Sequence, residues 1–265
     1  MESQYFIFDG IQSQEMGLQI MRIDHSGFIE VPYISGANIH ESTSRKRIKP
    51  YFYGVTRENL EFTVQFVLVD RYGNPKEWTP QERYRIGKWL FHNEYKEFIS
   101  SDDLGKRYYC IAISDTDLNL INSQGYIEVK FRCNSPYAFS PVYVNKYDLS
   151  SNNTTQTIIL ENMSNVVKFY NPLIQVELVN GATSFQLKNL SNGGKIMKFE
   201  SLLPNEIISI DCQNRIIKSN IPESNPFAKF NIGMKRYWMD LVYGQNLIQV
   251  EGTCIIKTKM EYPIV

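Results

Sequence analysis

This 265-residue chain has three histidines, four cysteines and 28 Asp and Glu residues, whose side chains are of types that could support catalysis or metal binding. His92-Asn93-Glu94 matches the first half of the zinc deaminase motif, but the Pro-Cys-x-x-Cys half is missing. His25 and His40 have no partner at the spacing of zinc ligands. We therefore expect no metal site. We interpret His92 as a residue of the last turn of a helix, where it favours the negative end of the dipole.

Asp102 and Asp103 are the nearest approach to a carboxylate pair. Glycoside hydrolysis needs two carboxyl groups about 5 to 10 Å apart in a cleft. Adjacent acidic residues between two strands are instead typical of a solvated turn. The chain also lacks a G-x-S-x-G elbow, a Walker loop and a G-x-G-x-x-G motif. The sequence therefore predicts a protein that is not an enzyme and holds no cofactor.

A basic run, Arg45-Lys46-Arg47-Ile48-Lys49, directly precedes the aromatic run Tyr51-Phe52-Tyr53. Cations interleaved with aromatic rings can bind nucleic acid through charge and stacking. The same pattern fits an exposed hairpin arm, residues 36–53, that docks on a neighbouring subunit, or a plain solvated face. We favour the arm. The candidate interface residues are Arg45, Arg47, Lys49, Tyr51 and Tyr53.

The three tryptophans raise the possibility of sugar binding, since carbohydrate modules stack sugars on aromatic platforms. Trp78 and Trp89 flank or belong to the predicted helix, so we expect both to pack in the core. Trp238 is predicted on a strand, where alternation sends either Trp238 or its neighbours inward. Trp238 remains the candidate glycan contact. A carbohydrate-binding β-sandwich module for host cell-wall attachment is the alternative function.

Composition and charge exclude several classes of protein. The 28 basic residues balance the 28 acidic ones, so no global field recruits nucleic acid or an anionic membrane. The four cysteines are widely spaced, which predicts free thiols in a reducing compartment. No apolar run approaches the roughly 20 residues that cross a bilayer, and no signal peptide is visible. We expect synthesis in the cytoplasm and no membrane partner.

Strand patterns dominate the first half of the chain. The chain opens with an aromatic strand and an Asp9-Gly10 turn, and residues 60–69 alternate apolar and polar positions. One helix is predicted near residues 80–92, with Thr79 as N-cap and Pro80 at the first helical position. Further strands are predicted over residues 95–100, 107–114 and 126–133.

A domain boundary is predicted near residue 140, which gives domains 1–140 and 141–265. The second half carries eight or nine strand signals at hairpin spacing and no helical period, which indicates a β-sandwich. Near its end, two apolar runs joined by Gly244-Gln245-Asn246 predict a last strand-turn-strand unit. The fold class is therefore mainly β, with a sandwich-like first domain carrying one helix and a hairpin arm.

The order of these motifs resembles the distal tail proteins of long-tailed bacteriophages, the siphovirus tail component family. The opening Phe6-Ile7-Phe8-Asp9-Gly10 and the following Met16-Gly17-Leu18 are similar to the N-terminal signature of that family. Lys88-Trp89-Leu90, the exit over residues 131–137 and the motif at 241–246 follow in the order of the family. The resemblance extends over the whole chain.

The resemblance implies a galectin-like sandwich in the second domain and a first domain that forms a hexameric ring. It implies a structural hub between the tail tube protein and the tail-tip proteins, with neighbours that include a tail-associated hub protein and receptor-binding or baseplate proteins. DNA would pass through the central channel without specific binding. The expected location is the tail tip of the virion. Some relatives carry sugar-binding insertions, for which this sandwich half is too short.

Overall fold

The computed structural model describes residues 4–20, 35–113, 118–121, 124–151 and 154–265. His25 lies outside the described residues. The chain divides into two compact units, the first comprising residues 1–140 with residue 265 and the second residues 141–264. Each unit has its own elements and its own buried core.

The described part of the first unit contains eleven strands and one helix. They are β1 (Phe6–Phe8), β2 (Ile11–Gln12), β3 (Leu18–Ile20), β4 (Ala37–Ser42), β5 (Tyr51–Arg57), β6 (Glu61–Leu68), α1 (Pro80–Leu90), β7 (Lys96–Ser100), β8 (Tyr108–Ala112), β9 (Leu118–Ile121), β10 (Gln124–Cys133) and β11 (Ala138–Phe139). Eight strands form one antiparallel sheet in the order β2-β1-β7-β8-β10-β6-β3, with β9 paired to β10. Strands β4 and β5 form a separate two-stranded sheet.

The eight-stranded sheet curls on itself around an aromatic core. Strands β1 and β6 are separated by three strands, so in a flat sheet they would lie about 19 Å apart at about 4.8 Å per strand. Yet the ring centroids of Phe6 on β1 and Phe66 on β6 are only 6.0 Å apart. The curl lets a single sheet enclose a core as a sandwich does, and the predicted sandwich-like domain with one helix is confirmed in this form.

The opening hairpin forms as its sequence predicts. Asp9 and Gly10 both have positive φ angles, 49° and 77°, which are the values that a two-residue type I′ turn requires. Ile7 pairs with Gln12 and Phe8 with Ile11 across this turn. The turn therefore fixes the register that sends Phe6 and Phe8 into the core, where both are fully buried.

Helix α1 begins where its capping residues predict but ends two residues early. The Thr79 hydroxyl accepts a hydrogen bond from the Glu82 N–H at 3.3 Å. The helix stops at Leu90 because Phe91 takes an extended conformation. His92 therefore lies beyond the helix, and its placement in the last turn was wrong. Its Nε2 is 4.0 Å from an oxygen of Asp9.

Both tryptophans near the helix are packing residues, as expected. Trp78 is 2% exposed, and its indole N–H donates to the Gly125 carbonyl at 2.9 Å. Trp89 donates to the Phe8 carbonyl at 3.0 Å and stacks on Phe6, with 5.6 Å between ring centroids. Each buried indole thus has a partner for its one polar atom, which ties the helix region to the sheet.

Asp103 belongs to the turn that joins β7 to β8. Its Oδ1 accepts a hydrogen bond from the Gly105 N–H at 3.0 Å, and its Oδ2 lies 3.8 Å from the Lys106 ammonium. Its own N–H donates to the Ser100 carbonyl. The carboxylate therefore serves the turn itself, which is the solvated turn that the sequence predicts.

The described part of the second unit contains twelve strands. They are β12 (Tyr143–Leu149), β13 (Gln156–Asn162), β14 (Phe169–Tyr170), β15 (Leu173–Leu178), β16 (Phe185–Asn189), β17 (Lys195–Phe199), β18 (Ile207–Asp211), β19 (Ile216–Ser219), β20 (Leu241–Val242), β21 (Gly244–Glu251), β22 (Cys254–Met260) and β23 (Pro263–Ile264). A five-stranded sheet has the order β12-β22-β15-β18-β19, and a four-stranded sheet has the order β13-β21-β16-β17. Strands β14 and β20 pair with each other.

The two larger sheets of this unit bury their inner faces in one core, which confirms the predicted β-sandwich. Alternate residues such as Ile174 and Val176 on β15 and Ile248 and Val250 on β21 are almost fully buried. Tyrosine hydroxyls join the sheets at the edge strand β13. Tyr147 of β12 donates to the Ile159 carbonyl at 2.6 Å, and Tyr262 donates to the Glu161 carbonyl. These bonds satisfy edge acceptors that another strand could otherwise bind.

The predicted strand-turn-strand unit around Gly244-Gln245-Asn246 is wrong. These three residues begin the long strand β21 and pair with β13. The change of direction comes earlier, and the buried Asn246 side chain holds it: its oxygen accepts from the Val242 N–H at 2.9 Å, and its nitrogen donates to the Val242 and Gly244 carbonyls. Asn is common in turns because its side chain bonds nearby backbone groups, so an Asn that does the same from within a strand suggests a turn when only the sequence is known.

The four cysteines are buried free thiols, as the sequence predicts. Burial raises the pKa of Cys133 and of Cys212 to about 12, and that of Cys254 to about 11. Cys110 lies directly opposite Cys133 on neighbouring strands, and burial raises its pKa well above the ordinary value. These thiols therefore remain protonated at neutral pH and act as packing residues.

Glu206 is a fully buried carboxylate that holds the turn before β18. It accepts hydrogen bonds from the Leu203 N–H at 2.8 Å and the Ser219 hydroxyl at 2.6 Å, and Lys229 Nζ lies 3.9 Å away. Burial raises its pKa, but the hydrogen bonds from Ser219, Ser224 and Leu203 outweigh burial, so the pKa is lowered overall.

We expect Glu206→Gln to lower the free energy of unfolding by about 1–3 kcal/mol at neutral pH, because a buried hydrogen-bond network loses its charged acceptor. Since the native pKa is lowered, the stabilisation is present above the pKa of the unfolded state. It is lost as the pH falls through the native pKa. Urea titrations at several pH values should show the two proteins converging in acid. Glu223→Gln, at an exposed position, is the control; a constant difference at every pH would contradict the prediction.

Candidate assembly surface

The arm predicted from the basic and aromatic runs is an antiparallel hairpin of β4, a connecting loop over residues 43–50, and β5. It is longer than residues 36–53, because β5 continues to Arg57. Every residue of β4 is exposed, and so is most of β5. A two-stranded hairpin that packs neither face is marginally stable alone, so this arm is typical of an element that packs on another molecule.

The cationic residues lie together at the tip of the arm. Arg45, Arg47 and Lys49 are all in the loop that joins the two strands. The Arg47 guanidinium lies 4.2 Å from the ring centroid of Tyr51, a cation–π contact that holds the loop against β5. The ion pairs of the described residues all involve other side chains. The tip therefore presents positive charge without a counter-charge from the described part of its own chain.

One face of the arm carries large apolar side chains. Ile39 lies opposite Val55, and a β-bulge between His40 and Glu41 shifts the register by one residue, so that Phe52 pairs with Glu41 on the same face. The exposed fractions are 62% for Ile39, 64% for Phe52 and 46% for Val55. Tyr51 pairs with Ser42 on the opposite face, where the Tyr53 hydroxyl is hydrogen-bonded to the Ser42 hydroxyl at 2.8 Å. We call the face with Ile39, Phe52 and Val55 the apolar face of the arm.

Sequence reasoning selected Tyr51 and Tyr53 but missed Ile39, Phe52 and Val55. The structure places the two tyrosines on the face of the arm opposite Ile39 and Val55. The run Tyr51-Phe52-Tyr53-Gly54-Val55 could have indicated the longer strand, because β-branched and aromatic residues favour strands. Ile39 is an isolated apolar residue among polar ones, and its position follows only from the pairing with Val55.

Polar contacts fix the base of the arm. The Arg57 guanidinium donates to the Ser35 carbonyl at 2.7 Å, and the Asn38 amide donates to Glu58 at 3.4 Å. His40 Nε2 is hydrogen-bonded to the Thr56 hydroxyl at 2.8 Å across the strands. His40 is thus a cross-strand contact. These contacts hold the two strands of the arm to each other at its base.

Trp238, the candidate glycan contact, lies on an extended segment outside the strands, so its predicted strand position was wrong. It is half-buried, and its indole packs edge-on against the buried Phe230 with ring centroids 5.1 Å apart. Its neighbour Met239 is buried. Glycan binding at Trp238 stays a prediction, with only part of the indole open to a ligand.

No group of three or more His, Cys, Asp or Glu side chains in the described residues is placed to hold a metal ion. Within the same residues, no helix combines the length and the apolar character needed to cross a membrane.

Two family profiles together cover nearly the whole chain. Residues 1–135 match the phage tail protein N-terminal domain, and residues 137–260 match the phage tail C-terminal domain. A curated relative, an uncharacterized SPbeta prophage-derived protein of Bacillus subtilis (strain 168) named YomH, is 25% identical over 263 residues, 98% of each chain.

Solved structures of phage proteins share the fold. The Dit protein of phage SPP1, described as a paradigm of the hub adsorption apparatus in phages that infect Gram-positive bacteria, matches with a TM-score of 0.69 and 12% identity. The match covers 97% of this chain and 98% of that one. A chain of the phage P2 baseplate in its activated conformation with calcium matches with a TM-score of 0.53 and 9% identity over 98% of both chains. This chain therefore belongs to the phage tail protein family, and its fold is that of a distal tail protein.

Proposed function

We propose that this protein is the structural hub of a phage tail tip, a hexameric ring without enzymatic activity that lies between the tail tube and the tip or baseplate proteins. The observation that carries the proposal is the likeness to SPP1 Dit over almost the whole of both chains. A hub function requires surfaces for several neighbours, and the exposed arm supplies one of them.

Ring closure by the arm has a physical basis in its exposed surface. Identical subunits that meet head to tail form a closed ring when their rotation closes, and each contact needs upwards of about 1,000 Å² of buried surface. The apolar face can bury its side chains on a neighbouring copy, and the uncompensated cations at the tip can find carboxylates there. A hairpin arm suits such a contact, because it adds reach to a compact domain.

The charge balance supports the passage of DNA without specific binding. Phosphate binding depends on clustered cations, and a strongly cationic channel would retain the DNA backbone. The chain has equal numbers of acidic and basic residues, and its strongest basic run is at the tip of the arm. In the proposed ring that tip engages the next subunit. The protein would be made in the host cytoplasm and would act in the virion, next to the tail tube, tail-associated hub and receptor-binding or baseplate proteins.

Negative-stain microscopy of the purified protein, together with multi-angle light scattering, tests the proposal directly. We expect rings with a central hole and a mass close to six times the 30.9 kDa of the chain. A protein that stays monomeric at high concentration and low salt would contradict the ring. A closed oligomer with another number of subunits would correct the stoichiometry while retaining the hub.

A further inference from the structure

The segment between β19 and β20, residues 220–240, is the longest stretch of the described second unit without a strand. Connections of more than about 15 residues without regular structure are uncommon in compact domains and are usually functional. Some residues of this segment pack on the rest of the unit, and others have exposed side chains that a partner could contact. We call residues 220–240 the docked loop.

The docked loop closes the free edge of strand β17. Asn231 donates its backbone N–H to the Lys198 carbonyl at 2.8 Å, and its side-chain oxygen accepts from the Lys198 N–H at 2.6 Å. The same amide donates to the Ile196 carbonyl at 3.0 Å. The Glu200 N–H donates to the Lys229 carbonyl at 3.2 Å. The loop is therefore bound to the sheet almost as a further strand would be.

Aromatic packing fixes the loop from the inside. Phe230 is fully buried and stacks on Phe199, with 5.0 Å between ring centroids, and Phe199 stacks in turn on Phe185 at 4.9 Å. Trp238, also in the docked loop, packs edge-on against Phe230. Aromatic pairs of this kind contribute about 0.5–1.5 kcal/mol beyond area burial. The loop is thus held rigidly although it has no regular secondary structure.

The rigid loop nevertheless presents large apolar side chains to solvent. Phe227, Ile232 and Met234 are 44%, 52% and 47% exposed, and we call these three residues the knob. The turn that carries two of them is fixed by the Met234 N–H, which donates to the Asn231 carbonyl at 3.1 Å, and by a φ of 68° at Gly233. A surface ordered before binding loses little conformational entropy when a partner docks.

Two cations follow the knob residue Met234 in the chain. The Arg236 guanidinium lies 4.6 Å from the ring centroid of the knob residue Phe227, and the ammonium of Lys235, next to Met234, lies 5.1 Å from the ring centroid of Tyr237. The ion pairs of the second unit, within the described residues, involve other lysines: Lys195, Lys198 and Lys229. Lys235 and Arg236 therefore border the knob with positive charge that no described carboxylate pairs with.

We propose that the knob docks into an apolar socket with carboxylates at its rim on a different protein of the phage tail. That the partner is a phage tail protein rests on the proposed function. That its binding site is apolar with an acidic rim rests only on the side chains of the knob and the two cations beside it. A two-fold contact between two copies of this chain would bring Lys235 and Arg236 close to their own equivalents, and like charges at an interface cost several kcal/mol. The head-to-tail contact of the proposed ring is assigned to the arm, which leaves the knob for another protein. An acidic rim instead complements both cations and attracts the knob before contact.

Photo-crosslinking in assembled tail particles tests this docking. p-Benzoylphenylalanine is placed at position 232 or 234 of the full chain, and at position 214 as the control, in an exposed turn of the same unit. We expect crosslinks from 232 and 234 to a different tail polypeptide, in a peptide that contains Asp or Glu. Crosslinks only to other copies of this chain, no crosslink from either knob position, or an equal yield from position 214 would overturn the proposal.

Charge reversal supplies a second measurement. Lys235→Glu with Arg236→Glu should reduce the crosslink yield from position 232 by about tenfold or more, because an acidic rim would then meet like charge. An unchanged yield would overturn the acidic socket. The same variant, purified, should keep the melting temperature and the oligomeric state of the native chain. Failure of the native chain to form rings would refute the hub, whereas loss of crosslinks in particles that contain intact rings would refute only the knob.

Discussion

Replacing Ile39, Phe52 and Val55 of the arm by serine is expected to leave the protein monomeric at concentrations where the native chain forms rings. Fully burying one such side chain stabilises a contact by about 1.5–3 kcal/mol, so three truncations remove several kcal/mol from every contact of the ring. Closure needs all the contacts together, and the loss is therefore repeated around the ring. Multi-angle light scattering over a range of concentrations measures the change in mass.

Matched variants separate this effect from a general loss of exposed aromatic surface. Tyr72→Ser and Tyr84→Ser change side chains of the same unit that are 73% and 74% exposed and lie outside the arm, and we expect both proteins to assemble normally. The fold of the arm variant should be intact, because its three side chains are exposed. A hexamer that survives with the three serines in place would refute the assigned role of the arm.

The tip cations should act differently from the apolar face. Reversing Arg45, Arg47 and Lys49 to glutamate is expected to weaken assembly most at low salt, since charge interactions between exposed groups are screened within about 10 Å at 0.1 M salt. The serine variant should be almost insensitive to salt. This contrast follows from the positions of the residues, with the cations in the loop and the apolar side chains on the strands.

Elements with a strong local pattern could be predicted from the sequence. All five alternating residues of the predicted strand over 60–69 are buried, including Val64 and Phe66, because a period of two fixes which side chains face the core. The helix start at Thr79 and the Asp9-Gly10 turn are also local signals, each decided by the chemistry of a few residues. The fold class followed from these elements.

Features that depend on distant partners could not be predicted in the same way. The curl that brings Phe6 within reach of Phe66 depends on the order of strands in the sheet, which the sequence does not state. Asn246 resembles a turn residue, yet it lies in a strand because its amide satisfies backbone groups of the preceding segment. The residues of this segment would suit a turn or a strand, and the hydrogen bonds of the buried Asn246 side chain decide between the two.

The candidate binding surfaces were also predicted only where a local sequence pattern marked them. The basic run located the arm, but its apolar face became visible only through the pairing of Ile39 with Val55. The sequence did not mark the docked loop as a binding surface, because Phe227, Phe230 and Ile232 are all large apolar residues. Burial separates them, with Phe230 at 0% and Ile232 at 52% exposed. Which apolar side chain is core and which is available to a partner is a property of the folded unit.

Gly252 is expected to be the least replaceable glycine of the second unit. It lies between β21 and β22, where the chain passes from one sheet of the sandwich to the other. Its φ is 111°, and a Cβ at this position would come within 2.8 Å of the Ser184 carbonyl oxygen and 3.1 Å of the Phe185 Cα. Both neighbours belong to the backbone, so neither can move away by rotating a side chain.

We therefore expect Gly252→Ala to lower the free energy of unfolding by about 2–5 kcal/mol, the sum of backbone strain and overpacking. Gly181→Ala is the matched control, because Gly181 has a φ of 75° and nothing within 4 Å of its Cβ position. It should cost only the strain of the left-handed conformation, about 1–2 kcal/mol. Urea unfolding of both variants measures the difference. Equal losses would mean that the contact with Ser184 relaxes, and that the passage between the sheets at Gly252 tolerates a side chain.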